Sequence, residues 1–172
     1  MSNKTALVTG ASDGIGAEFL EILAGRSYDL ILVARREEKL NQLAERVTRE
    51  FGVDCTVMVS DLSEPNAAQN LFQRIEERGL QVNFLINNAG LLHNGFFTKL
   101  SLEAQEKMIH VNVLALTALT HLYAAKMSSD GGGHILNVAS LAGWMAIPNQ
   151  NVYAASKAYV VSFSQALSNE MI

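Results

Sequence analysis

The sequence alternates short, almost wholly apolar runs with longer segments whose apolar residues recur at helical intervals. In residues 28–34, YDLILVA, nearly every position is apolar, which indicates a strand that is covered on both faces. The next segment, 36–51, is charged and has Leu40, Leu43 and Val47 at helical intervals. Because strand and helix alternate in this way, we expect parallel strands that are joined by right-handed crossovers.

The same pattern places the remaining elements. The predicted strands are 5–9, 28–34, 56–59, 82–86 and 134–138. The predicted helices are 16–26, 36–51, 65–78 with Pro65 at its start, 102–127 with a break near 111–112, and 152–171. We therefore predict an α/β fold with one doubly wound parallel sheet in the order 3-2-1-4-5, within a single domain over residues 1–172.

Composition and charge restrict the partners of the chain. The formal net charge is −4, which gives no electrostatic case for binding nucleic acid or an anionic membrane. The longest uninterrupted apolar candidate, 111–119, is shorter than the roughly 20 residues of a membrane span. The single cysteine, Cys55, excludes an internal disulfide and is expected to be a buried thiol in a reducing compartment. We expect a cytoplasmic protein that does not contact a membrane. The 4 histidines have no metal-ligand spacing, so no metal site is predicted.

A glycine-rich turn follows the first strand and reads Gly10-Ala11-Ser12-Asp13-Gly14-Ile15-Gly16. Glycine allows a tight turn, lets backbone approach a pyrophosphate, and lets the next helix pack against the sheet. The helix would then direct its free N–H groups at the phosphates. The alternative is a glycine-rich turn without a ligand. A P-loop is excluded here, because no Gly-Lys-Ser/Thr follows.

The end of the second strand bears on the choice of dinucleotide. An acidic residue there favours NAD, whereas a cation can pair with the 2′-phosphate of NADP. The chain has Arg35 and Arg36 at this point, and a guanidinium matches phosphate oxygens well. We therefore predict NADP(H) in preference to NAD(H), with Arg35 as the first choice of phosphate ligand and Arg36 as the second. The alternative is that both arginines only end the strand and begin a solvated helix.

A tyrosine and a lysine, Tyr153 and Lys157, are four residues apart and would share one face of the last predicted helix. A phenol in water ionises near pH 10, and a neighbouring ammonium favours the phenolate. Ser140 follows the fifth predicted strand, at the edge of the sheet where ligand-handling groups gather. Without Ser140, the pair would more simply be two surface residues of an amphipathic helix.

These segments together resemble the short-chain dehydrogenase/reductase family, and the resemblance covers essentially all 172 residues. The glycine turn is similar to the family pattern TGxxxGxG, Asn87-Asn88-Ala89-Gly90 to its NNAG motif, and Ser140, Tyr153 and Lys157 to its Ser–Tyr–Lys set. The resemblance implies a hydride transfer between the nicotinamide and a carbonyl or alcohol, with Tyr153 as general acid/base and Asn112 as the fourth catalytic residue. A buried, satisfied amide is the alternative role for Asn112.

The resemblance also implies the full cofactor site. The residues that it assigns to the cofactor are Gly10, Ser12, Asp13, Gly14, Ile15, Gly16, Arg35, Arg36, Asp61, Leu62, Asn88, Ala89, Gly90, Tyr153 and Lys157. Asp61 would accept a hydrogen bond from the adenine amino group, although a helix cap is an equally simple role for it. NADP-using relatives often carry a basic residue before the middle glycine, where this chain has Asp13.

Relatives usually continue past the catalytic helix with further strands and a substrate lid, which this sequence lacks. A second hypothesis is therefore a dinucleotide-binding module or oligomer subunit without turnover. The resemblance also implies a homo-oligomer, a dimer or a tetramer, paired through the helix around 114–127 and the last helix. The alternative is that both helices simply cover the sheet.

Overall fold

All strands of the described residues, 4–171, lie parallel in one sheet of this computed structural model, in the order β3-β2-β1-β4-β5. The strands are β1 (Thr5–Thr9), β2 (Asp29–Ala34), β3 (Cys55–Val59), β4 (Val82–Asn87) and β5 (His134–Asn137). This arrangement confirms the predicted strand order. It also places β1, the strand before the glycine turn, at the centre of the sheet.

Helices cover both faces of the sheet. They are α1 (Gly14–Ala24), α2 (Glu37–Phe51), α3 (Ala67–Glu77), α4 (Leu102–Ile109), α5 (Leu116–Ser129) and α6 (Asn151–Glu170). Neighbouring residues of β1 point to opposite faces of the sheet. Leu7 packs in a cluster with residues of α3 and α5, whereas Ala6 and Val8 pack in a cluster with residues of α1 and α2. The strands therefore bury apolar side chains on both faces, as their uninterrupted apolar runs predict.

The segment from Leu102 to Ser129 is helical throughout, but its middle part is wound as a π-helix instead of an α-helix. Six residues, His110–Ala115, form a π-helical segment between α4 and α5. This segment lies where the break was predicted, and such turns are common at functional sites. By length and composition alone, Leu102–Ser129 could cross a membrane, which differs from the expectation that no stretch could. Half of its most apolar window is buried inside the fold, where Leu119 and Tyr123 pack under the sheet.

The structure corrects several boundaries. Helix α3 does not begin at Pro65, because Asn66 has a left-handed backbone (φ +59°) and the helix starts only at Ala67. Helix α1 begins at Gly14 instead of residue 16, because the Asp13 side chain accepts a hydrogen bond from the Gly14 amide and caps the helix there. Cys55 opens β3 and is only partly buried, and burial raises the pKa of its thiol.

The edge strand β5 is the least covered part of the sheet. It pairs with β4 from Phe84–His134 to Asn87–Asn137, and no strand within residues 4–171 pairs with its other side. His134 and Leu136 are accordingly exposed, whereas the central strands β1 and β2 are almost entirely buried. The side of β5 away from β4 is therefore an open sheet edge in this part of the chain.

Candidate active site

The glycine turn packs tightly against the end of β4. Gly10 has a left-handed backbone (φ +66°), and a Cβ at this position would lie 2.9 Å from the Cα of Ala89. A Cβ at Gly16 would collide with the carbonyl oxygen of Gly10. The absence of side chains at these two positions therefore lets α1 and the Asn88–Ala89 segment close around the turn.

Hydrogen bonds fix that contact between β1 and the residues after β4. The Thr9 hydroxyl accepts hydrogen bonds from the backbone amides of Asn88 and Ala89, each at 3.0 Å. The Asn88 side-chain amide donates to the carbonyl oxygens of Thr9 and Gly10, at 3.0 and 3.3 Å. The asparagine motif thus holds the glycine turn in place.

A cavity of about 360 Å³ opens above the carboxyl ends of β1, β2 and β3. Its lining includes most residues predicted for the cofactor: Gly10, Ser12, Asp13, Ile15, Arg35, Arg36, Asp61, Leu62, Asn88, Ala89 and Gly90. Gly14, Gly16, Tyr153 and Lys157 were also predicted and do not line it. The sequence reasoning missed Val33, Ala34, Ser60, Leu91 and Val111. The first three lie at the ends of β2 and β3, so strand ends in a parallel sheet were the signal that could have found them.

The two predicted arginines face different parts of this cavity. Arg36 Nη2 donates to Ser12 Oγ at 3.1 Å and to Asp13 Oδ2 at 3.2 Å, beside the glycine turn. Arg35 Nη1 instead lies 3.8 Å from Asp61 Oδ2. Lys39, which the sequence reasoning did not single out, places its Nζ 3.3 Å from the same Asp13 oxygen. Lys39 could hardly be recognised from the sequence, because a lysine in the first turns of a charged helix normally contacts only solvent.

Asp61 does not cap the following helix α3, which begins only at Ala67. Its Oδ1 accepts hydrogen bonds from the Ser63 amide and hydroxyl, at 3.0 and 2.7 Å, and so closes the turn after β3. Burial opposes ionisation, but these hydrogen bonds and the Arg35 charge together lower the pKa of Asp61. Asp61 is thus a carboxylate on the wall of the cavity, where it can accept further hydrogen bonds.

Lys157 lies inside the protein and only 4% of it is exposed. Its Nζ donates to the carbonyl oxygen of Val138 at 2.7 Å and lies 6.0 Å from the centre of the Tyr153 ring. Burial lowers the pKa of this ammonium. The sequence placed Tyr153 and Lys157 on one helix face, and the structure brings them together next to the end of β5.

Gly90 connects this pair to the cavity. Gly90 lines the cavity, and a Cβ on it would lie 3.6 Å from Lys157 Nζ and 3.5 Å from Asn112 Oδ1. The ammonium therefore lies directly behind the cavity wall. A Cβ at this position would be in ordinary van der Waals contact with both polar groups.

Ser140 begins a 3₁₀ turn, Leu141–Trp144, that the sequence did not predict. Its Oγ accepts a hydrogen bond from the Ala142 amide at 3.2 Å, which leaves the hydroxyl proton free to donate elsewhere. The turn packs closely on α6: a Cβ at Gly143 would lie 2.7 Å from the carbonyl oxygen of Lys157. Ser140 is thereby held beside the helix that carries Tyr153 and Lys157.

Asn112 is fully buried in the π-helical segment. Its amide donates to the Leu91 carbonyl at 2.9 Å and to Ser156 Oγ at 3.0 Å, and its Oδ1 accepts from the Leu91 amide at 2.8 Å. Ser156 Oγ in turn donates to the Tyr153 carbonyl at 2.7 Å. Asn112 thus joins the segment after β4 to α6. This is the buried, satisfied amide of the alternative reading, and its catalytic role stays a prediction.

With this geometry in place, comparison with known proteins identifies the family. The family model described as short chain dehydrogenase matches residues 4–172. The chain belongs to the short-chain dehydrogenase family. This assignment confirms the resemblance drawn from the glycine turn, the NNAG segment and the Ser–Tyr–Lys set.

Similar members of the family are oxidoreductases by name. An uncharacterized oxidoreductase of Staphylococcus saprophyticus is 32% identical over 99% of this chain and 73% of its own length. A very-long-chain 3-oxoacyl-CoA reductase of Anas platyrhynchos is 36% identical over 96% of this chain and 54% of its own. Among solved structures, a short-chain dehydrogenase from Sphingobium yanoikuyae in complex with NADPH has a TM-score of 0.92 and 38% identity, and covers 98% of this chain.

The chain is shorter than these relatives. It spans between 54% and 73% of the two curated relatives and 65% of the NADPH-bound short-chain dehydrogenase. The five-stranded sheet, the glycine turn and the Ser140, Tyr153 and Lys157 positions all fall within the shared part.

Proposed function

We propose that this chain is the dinucleotide-binding and catalytic part of an NADP-dependent oxidoreductase that interconverts a carbonyl compound and an alcohol. The observation that carries the proposal is the buried Lys157 ammonium, which donates to the Val138 carbonyl, lies beside the Tyr153 ring and is close to Gly90 of the cavity wall. A buried charge is costly unless it is paired or hydrogen-bonded. A buried ammonium with a shifted pKa, next to a tyrosine and a cavity, is therefore a candidate functional group.

The residues of the cavity fit NADP(H). The glycine turn leaves backbone room for a pyrophosphate at the start of α1, whose free N–H groups favour an anion. Arg36 lies beside Ser12 at the rim, where it can receive a 2′-phosphate, and Arg35 can contribute from the Asp61 side. A solved relative is bound to NADPH and supports the same cofactor here. The nicotinamide, when bound, supplies the hydride.

The remaining chemistry belongs to the side chains around Tyr153. In the direction of reduction, the carbonyl carbon accepts a hydride and its oxygen accepts a proton, which gives the alcohol. Tyr153 donates that proton, and the free Ser140 hydroxyl donates a hydrogen bond to the same oxygen. Lys157 favours the phenolate that remains, through its positive charge. Asn112 positions α6, because it anchors Ser156, which contacts the Tyr153 carbonyl.

The test is a pair of tyrosine variants on the same helix. Tyr153→Phe should reduce NADPH consumption with a panel of ketones by about 10³-fold or more, since it removes the proton donor. NADPH affinity, measured by fluorescence titration, should change less than about twofold, because nucleotide contacts are left in place. The control is Tyr159→Phe, since Tyr159 Oη bonds to Thr117 at 2.8 Å and points to α5. Unchanged turnover in Tyr153→Phe would rule out this mechanism.

The alternative function is a nucleotide-binding module without turnover. The open edge of β5 favours it, because a strand edge that is unpaired within residues 4–171 is a surface on which another chain can add. NADPH binding without consumption of any carbonyl tested would support the module. A cytoplasmic location and a homo-oligomer remain predictions of the sequence, and light scattering tests the second.

A further inference from the structure

One carboxylate oxygen at the rim of the cavity is shared by two cations. Asp13 Oδ2 lies 3.2 Å from Arg36 Nη2 and 3.3 Å from Lys39 Nζ. The carboxylate belongs to the glycine turn and lines the cavity, whereas Lys39 comes from α2 and does not. The hydrogen bond to Lys39, that to the Gly14 amide and that to Arg36 lower the pKa of Asp13, so it stays ionised at neutral pH.

Asp13 occupies a place that is unfavourable for a phosphate ligand. It holds the guanidinium that the proposed function assigns to the 2′-phosphate, and its negative charge lies beside any anion bound there. A phosphate monoester carries between one and two negative charges at neutral pH, so the repulsion is substantial. With Arg36 and Asp13 alone, the cluster would have no net charge. Lys39 brings it to one net positive charge.

We propose that Lys39 determines the preference for NADP(H), because it offsets the Asp13 carboxylate and leaves Arg36 with net positive charge for the 2′-phosphate. This inference rests on the proposed function and names a residue of the same site. The 2′-phosphate is the only group by which NADPH differs from NADH. The Asp13–Lys39 pair should therefore act on NADPH affinity and leave NADH affinity unchanged.

Two substitutions and their combination test the charge balance. Lys39→Gln keeps the helix-forming tendency of α2 and lowers the cluster to zero net charge. Asp13→Asn keeps a side-chain oxygen for the Gly14 amide and raises the cluster by one charge. The double variant returns the net charge to the wild-type value, although neither native side chain remains.

The measurement is fluorescence titration of the full chain with NADPH and, separately, NADH at low salt. Lys39→Gln should weaken NADPH binding about three- to tenfold, and Asp13→Asn should strengthen it by a similar factor. The double variant should bind NADPH within about twofold of wild type, and NADH affinity should change less than twofold throughout. The differences should shrink in 0.5 M NaCl, since the cluster is exposed to solvent.

Lys126→Gln is the matched control. Lys126 is also an ion-paired surface lysine, 3.0 Å from Asp130, but it lies on α5 away from the cavity, so its removal should leave both affinities unchanged. A double variant that binds NADPH as tightly as Asp13→Asn alone would overturn the inference, because Lys39 would then contribute nothing. Equal losses for NADPH and NADH in Lys39→Gln would overturn it too.

A failure of the proposed function gives a different result. A wild-type chain that binds neither NADPH nor adenosine 2′,5′-bisphosphate would overturn the cofactor site itself, and this inference with it. Wild-type binding of NADPH together with an unchanged Kd in Lys39→Gln would overturn only the role of Lys39.

Discussion

Two polar clusters of this protein lie next to the same cavity but differ in their burial and in the kind of contact that holds them. The cluster around Asn112 and Lys157 is buried, and its contacts are short hydrogen bonds that join four separate segments. The cluster of Asp13, Arg36 and Lys39 lies at the surface, and its contacts are exposed ion pairs. The buried cluster should therefore set both stability and geometry, whereas the surface cluster should set only affinity for an anion.

The substitution Asn112→Leu should have the largest effect, and it tests whether the buried cluster sets the stability of the protein. A leucine of similar size would leave the Leu91 amide and carbonyl without their Asn112 partner, and Ser156 Oγ would lose the donor from Asn112. We expect the free energy of unfolding to fall by about 3–5 kcal/mol, measured by urea denaturation. Asn41→Leu, at an exposed position of α2, is the control and should change it by less than about 1 kcal/mol. An equal effect of both variants would contradict the structural role of Asn112.

The pH dependence of stability gives a second, smaller effect. Because burial lowers the pKa of Lys157, the unfolded chain binds this proton more tightly than the folded chain does. The free energy of unfolding should then rise with pH, from the folded pKa up to the unfolded value near 10.4, with a slope of at most about 1.4 kcal/mol per pH unit.

Lys157→Met should lack this rise, since methionine does not titrate. Urea denaturation of both proteins between pH 7 and pH 10 measures the difference. Lys99→Met, at an exposed position, controls for the loss of one charge. Parallel pH profiles for wild type and Lys157→Met would show that burial of the ammonium carries no such penalty.

The smallest effect on stability is expected in the surface cluster. Arg36→Gln should leave the urea midpoint unchanged, because its contacts with the half-buried Ser12 and the exposed Asp13 face solvent and water can replace them. NADPH affinity should nevertheless fall about tenfold, since a charge-assisted contact with phosphate is lost. A clear loss of stability without a loss of NADPH affinity would reverse the roles that we assign to the two clusters.

The parts of the molecule that follow from local pattern could be predicted from the sequence. The apolar runs gave β1 to β5 and their order, and the four-residue spacing placed Tyr153 and Lys157 on one face of α6. The glycine positions likewise indicated the turn that packs on Ala89. The strands and the Tyr153–Lys157 spacing follow from a periodicity within one element, whereas the strand order follows from the alternation of strands and helices along the chain.

The contacts between distant segments could not be predicted in this way. The pairing of Asn112 with Leu91 and Ser156 depends on how α4, α5 and α6 pack, and the sequence gives no sign of it. Lys39 is 26 positions from Asp13, and only the fold brings them together. The ranking of Arg35 before Arg36 rested on position alone, and the side-chain contacts place Arg36 nearer to the glycine turn. The start of α3 was missed because nothing in Pro65–Asn66 indicates a left-handed asparagine.

Because the π-helical segment lies between α4 and α5, the rotation of α4 relative to α5 about their common axis depends on the number of residues in this segment. A π-helical turn holds an additional residue compared with an α-helical one, so deleting a single residue from 110–115 could restore regular winding without breaking the helix. Such a deletion would rotate everything on one side of it by about 100° relative to the other. The Asn112 carboxamide would then turn away from α6. A one-residue deletion that leaves a regular helix would thus break the contact between Asn112 and the helix that carries Tyr153 and Lys157.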